Sequence, residues 1–190
     1  MTSLPLTQPQ RSALVDTSLA LLLQEQPEAQ QLVDVVSAGD PGRRRLALRA
    51  LLAMRPAIPL PAELNVSLER LLAAEAAERE TVDALSLPRT EVDPRLSLWR
   101  GDITTIRADA IVNAANSTLL GCFQPLHACI DNAIHSAAGP WLRQECADIM
   151  AARDRPESTG TATVTSGYHL PATHVIHTVG PSQPPSTRRS

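Results

Sequence analysis

The chain has 190 residues, a formal net charge of −3 and 43% hydrophobic content, enough for one or two domains with an apolar core. The charge excludes a general attraction to nucleic acid or acidic membranes, and 2% aromatic residues leave too few rings for a base-stacking surface. Three cysteines do not make a disulfide framework.

Residues 1–10 have the composition of a disordered leader, without the charged-then-apolar form of a signal peptide. Helical spacing begins in SALVDTSLALLLQ, residues 12–24, with Leu14, Ser18, Leu21 and Leu22 on one face. A second helix is expected from about Glu28 to Ser37, ended by AGDPG. A third covers roughly 43–54, stopped by Pro56, and a fourth runs from about Pro61 to Glu80. The basic cluster Arg43 to Arg45 reads as a solvated helix face. No apolar run approaches the roughly 18 residues of a membrane span, so the cytosol is the expected location.

Thr81 to Pro94 reads as a connector with a boundary near residue 92. Leu96 to Trp99 should form a first strand that ends in the tight turn GDIT. Ala110 to Val112, short and β-branched, reads as a buried strand of a parallel sheet. Asn113 and Asn116 then fall at its carboxyl end, where open α/β sheets collect ligands. Their amides suit either a ligand or a turn cap.

Gly121 and Pro125 punctuate the following loop. From about Leu126 the apolar residues Ile130, Ala133, Ile134 and Ala137 recur at helical spacing, until Gly139 and Pro140 stop them. Backbone N–H groups at such a helix start attract anions. Cys122, His127 and Cys129 are spaced C-x4-H-x-C. Two thiolates and an imidazole suit zinc and leave one coordination position open. The alternative is two core cysteines and a surface histidine. Pro140 to about Arg153 is a further helix, with Cys146 in its core face. TATVTSGY and ATHVIHTVG alternate as strands, with His174 and His177 structural. SQPPSTRRS at the end has a disordered composition.

GDIT, DAIVNAAN, D-x-AIH-x-AAG and TGTATVTSGYHLPATHVIHTVGP together resemble a macrodomain, the ADP-ribose-binding fold, over residues 96–181. The loop GCFQPLHACID is similar to that of the zinc-containing macrodomains, which resemble protein-ADP-ribose hydrolases. The resemblance implies an α/β fold, a macrodomain-like three-layer α/β/α sandwich, incomplete at its C-terminus. An all-helical N-terminal extension would precede it: extension and linker 1–92, N-terminal half of a macrodomain 93–181, disordered tail 182–190. On the family pattern further strands, their helices and a second phosphate loop would follow, so the chain reads as truncated.

The resemblance also implies roles. Asp102 would accept from the adenine amino group, with Ile103 beside it. Asn113, Ala115, Asn116 and Gly121 would line the substrate, Asn116 fixing the distal ribose. Amides of the 120–125 loop would take a phosphate. Zn2+ on Cys122, His127 and Cys129 would contact the distal ribose or a water, and Asp131 matches the acid position. Asn116 and Asp131 are thus the expected catalytic residues of a zinc-dependent mono-ADP-ribosyl hydrolase. Its partners would be ADP-ribose and an ADP-ribosylated protein, with no nucleic acid or membrane. Two other readings remain: an ADP-ribose-binding module without catalysis, and an inactive fragment with a structural zinc.

Overall fold

In the computed structural model, residues 5–38, 40–153 and 155–181 are described. The tail 182–190 lies outside them, as do residues 1–4. Helix α1, Gln8–Glu25, begins earlier than its apolar spacing announces. Thr7 caps it: Gln10 N–H donates to the Thr7 hydroxyl, and the Gln10 side chain accepts from Thr7 N–H at 2.9 Å. With Pro9 in the first turn, this capping box draws residues 8–10 into the helix. Disorder over residues 1–10 is therefore corrected from Gln8 onward.

Helices α2 (Gln30–Ser37), α3 (Arg44–Met54) and α4 (Ala62–Glu78) follow. Leu19, Leu22, Leu48, Leu51, Leu64, Leu68 and Leu71 are buried where these helices meet. Arg44 pairs with Asp16 and Arg45 with Glu75, so these two basic residues serve intrachain ion pairs on the helix surface. Next come two short strands, β1 (Val82–Asp83) and β2 (Ile106–Arg107), paired in parallel.

Leu96 to Trp99 do not form the expected strand. Ser97 makes one isolated antiparallel bridge to Arg89, and Leu98 is 89% exposed. Four weakly alternating residues gain no ladder when, among the described residues, no neighbouring strand accepts them.

The main sheet has the order β3 (Ala110–Ala115), β5 (His174–Val179), β4 (Ala162–Ser166). β3 pairs with β5 in parallel, Asn113 opposite His177, and β4 pairs with β5 antiparallel. The parallel pairing matches expectation; the sheet as a whole is mixed. Its inner face carries Ile111, Asn113, Val175 and His177 against helices α5 (Ile130–Ala138) and α6 (Pro140–Ala151). On the opposite face Val112 and Val164 are 54% and 55% exposed. β3 is thus buried on one side only, because among the described residues helices cover that one face.

α5 starts at Ile130, later than Leu126, because Cys129 holds the cap position in extended backbone. Gly139, at φ +96°, ends α5 and turns directly into Pro140, the first residue of α6. The helical region docks on this pair. Trp141 Nε1–H donates to Asn65 Oδ1 at 2.8 Å, and Leu126 packs on the helical core.

Candidate active site

The strand period puts Ile111, Asn113 and Ala115 on the helix-facing side of β3. Asn113 is wholly buried. Its Nδ2 donates to Asp131 Oδ1 at 2.7 Å and lies 3.1 Å from His177 Nδ1. This arrangement makes His177 Nδ1 an acceptor, so its Nε2–H donates to Thr165 Oγ1 at 2.9 Å. Burial pushes the His177 pKa down to about 4, which keeps that ring neutral near pH 7. Burial raises the Asp131 carboxyl, against the opposing pull of the Asn113 amide and Arg143.

Asn116 sits past the strand end. Its Oδ1 accepts from Thr118 N–H at 3.0 Å and Thr118 Oγ1–H at 2.6 Å, while Nδ2 donates to Gly121 O at 3.0 Å. The side chain therefore caps a turn and fastens the far end of the loop. Ala115 is half-buried beside it. Gly121, at φ +80°, is buried against His135; a Cβ there would sit 3.1 Å from the imidazole.

Beyond Gly121 the loop brings three ligand types together. Cys122 Sγ, His127 and Cys129 Sγ offer atoms that all lie within 4.8 Å of one another. Cys122 Sγ and His127 Nδ1 are 3.4 Å apart. Cys129 Sγ accepts from Asn132 N–H at 3.4 Å, and Asn132 Nδ2 donates to His127 O at 2.8 Å. Burial, then the neighbouring Cys122 thiol, raises the Cys129 thiol, so a cation there would favour its ionisation. Two sulfurs and an imidazole on an open loop, with the second thiol capping α5, fit a zinc ion. Asp131 follows two residues later in the first turn of α5.

Asp102 is exposed and caps the turn Ile103–Thr105, accepting from Thr104 N–H at 2.9 Å and Thr104 Oγ1–H at 2.8 Å. Ile103 packs on the sheet-side core, and the turn lies against α5. Asn113, Ala115, Asn116 and Gly121 thus lie in or just past the carboxyl half of β3 and Asp131 at the start of α5, while Asp102 and Ile103 stand on a separate turn against α5, whose Thr104 O is joined through Arg79 to His169 O.

Two residues beyond the expected set belong to this surrounding. His135 lies one turn after Asp131, its Nε2 3.5 Å from Asp131 Oδ1, and burial takes its pKa down to about 3. The i, i+4 spacing is the signal for that pair. Arg143 reaches the loop from α6, donating to Leu120 O at 2.8 Å, with its guanidinium 4.6 Å from the centre of the Phe123 ring. His135, Cys146 and His177 form a second, fully buried cluster. There both His177 nitrogens have partners, and burial pushes the Cys146 thiol up to about 12, consistent with a core cysteine.

Residues 112–189 match the Macro domain family. A protein-ADP-ribose hydrolase of Staphylococcus aureus strain MSSA476 is 44% identical over 133 residues, which cover 70% of this chain and 49% of that protein. One from Treponema medium is 60% identical over 84 residues, 44% of this chain and 32% of that protein. The crystal structure of a Trypanosoma brucei macrodomain in complex with ADP-ribose is 33% identical, covers 70% of this chain and 59% of that one, and has a TM-score of 0.45. The chain spans about half the length of the Staphylococcus aureus relative. From β3 onward the chain is macrodomain-like in sequence and in its α/β fold, and the helical region α1–α4 precedes that part.

Proposed function

We propose that the chain acts in zinc-dependent removal of mono-ADP-ribose from modified protein side chains. The observation that carries this reading is the convergence of Cys122, His127 and Cys129 within 4.8 Å, directly before Asp131. The Staphylococcus and Treponema relatives carry the name protein-ADP-ribose hydrolase, which supports the hydrolytic part of this reading. Cys122, His127 and Cys129 would hold the metal, which when bound supplies Lewis acidity or a hydroxide near neutral pH.

The chain's own groups take the remaining roles. Asp102 and Ile103, on their turn beside α5, would receive the adenine end. Amides of the loop at Gly121 and of the α5 start would take a phosphate. Asn116, at the mouth of the loop, would hold the distal ribose. Asp131, its carboxyl raised by burial, suits a group that gives or takes a proton at the ribosyl bond. Asn113, wholly buried and bonded to Asp131, would orient that carboxyl from beneath the substrate. Among the described residues no helix is long and apolar enough to cross a membrane, and we take the cytosol as the working location.

Binding of ADP-ribose without cleavage is the second reading. It is favoured by the burial of Asp131 and the engagement of its Oδ1 by Asn113. One experiment separates the two. The purified chain is incubated with a mono-ADP-ribosylated protein, and free ADP-ribose and zinc content are measured on the same sample. Release of ADP-ribose with about one zinc per chain is expected, the zinc being lost in Cys122→Ser. Asn116→Ala should slow release at least about tenfold, since it loses both the loop fastening and the ribose contact. Cleavage at the parental rate by Asn116→Ala would sink the assignment. A thermal shift with ADP-ribose but no release would mark a reader.

A further inference from the structure

Arg143 is the least conventional residue in α6. It falls on the buried stripe Leu142, Arg143, Cys146, where an apolar side chain is expected, and is only 6% exposed. Burying a guanidinium is costly unless its donors are satisfied. Burial does press against its charged form, and Asp131 supports that form.

The donors go to two separate parts of the chain. Nη1 donates to Leu52 O at 2.9 Å and to Arg55 O at 2.7 Å, at the end of α3 in the helical region. These carbonyls lie at a helix C-terminus, which favours a cation. Nε donates to Leu120 O at 2.8 Å, at the entry to the ligand loop. A Cβ on Gly121 would sit 3.3 Å from Nη2, so the loop backbone lies against the guanidinium, and Phe123 closes over its face. The α3 end is itself fixed: Arg55 is buried and pairs with Glu25 of α1 at 2.6 Å, while bonding Ile58 O and Pro59 O.

We propose that Arg143 is a positioning residue that ties the helical region to loop 120–129, so that the placement of the zinc-ligand loop depends on α1 and α3. The α3 end, Arg143 and the loop form a continuous chain of charge-assisted hydrogen bonds. Lysine cannot replace it, because an ammonium lacks the fork that reaches Leu52, Arg55 and Leu120 at once. The proposal rests on the metal reading for its effect on ligand binding, but the loop's order can be read with no metal present.

The test uses the 190-residue chain and its Arg143→Lys variant. Hydrogen exchange of residues 117–124 is followed in metal-free protein. Co2+ titration follows the thiolate charge-transfer bands. Arg143→Lys is expected to speed exchange of residues 117–124 at least about tenfold while residues in α1 and α4 change less. It should also weaken Co2+ binding at least about tenfold. Unchanged loop exchange would overturn the proposal, whatever the metal does. Parental protein that binds no Co2+ while loop exchange responds would remove the metal reading and leave the coupling standing. If Arg143→Lys does not fold, Phe123→Ala decides, since Phe123 is 43% exposed and its loss does not open the core. Faster exchange confined to residues 117–124 supports the coupling; no change overturns it.

Discussion

Asn113 shows how one side chain can fix several others. Its two N–H bonds reach a carboxylate on α5 and an imidazole on β5, and its own chain position is β3. Leucine is close in size but offers neither bond. Asn113→Leu would leave Asp131 and His177 Nδ1 buried without that donor, and each such loss costs about 1–3 kcal/mol. A total of about 2–6 kcal/mol is expected, read as a lower urea midpoint at unchanged slope. A loss below about 0.5 kcal/mol would mean that the network does not hold the sheet to α5. The sequence set Asn113 and Asn116 together at the carboxyl end of a strand over Ala110 to Val112, but β3 runs on to Ala115 and Asn113 lies inside it. The sequence could not show that the two differ in kind, because strand alternation buries position 113 while Asn116, past the last strand residue, turns outward to cap the loop. The buried Arg143 was legible in principle, from its place on the apolar stripe of α6.

At the scale of elements, the segment between β3 and α5 carries the chemistry, and its shape depends on Gly121. That residue combines φ +80° with close packing against His135 and Arg143. A side chain in left-handed backbone costs about 1–2 kcal/mol, before any crowding. Gly121→Ala is therefore expected to lower stability by at least about 1 kcal/mol and to weaken Co2+ binding, because the strain falls next to Cys122. An alanine variant with parental stability and parental metal affinity would show that the loop is free to rearrange. The helices were legible from period and stop signals, since Gly139, Pro56 and the AGDPG break act locally. Strand Leu96–Trp99 was not, because a strand exists only where a partner backbone accepts it. The start of α5 was misjudged for a related reason. Leu126 carries a helix-compatible pattern but sits at φ +58°, and it packs on the helical region instead.

Across the whole molecule, the buried imidazoles link stability to pH. Burial holds His135 near a pKa of about 3 and His177 near about 4, against an ordinary value of 6.5. As pH falls below about 6.5, the unfolded chain takes up protons at these positions and the folded chain does not. The unfolded state then binds more protons, so stability is fully present above about 6.5 and declines toward pH 4. Each histidine adds up to about 1.4 kcal/mol per pH unit to that slope. Asp131 acts in the opposite sense. Its raised folded pKa lets the folded chain accept a proton first on acidification, which offsets part of the loss. Two histidines against one carboxyl leave a net decline. The urea midpoint should therefore be lower at pH 5 than at pH 7.5, and His135→Gln should flatten the dependence by up to one proton. The effect belongs to the entire fold because His135 sits on α5 and His177 on β5, and charging either opens the layer between sheet and helices. A midpoint that does not move between pH 7.5 and 5 would mean that these rings are hydrated in solution and that the layer is looser than the geometry requires.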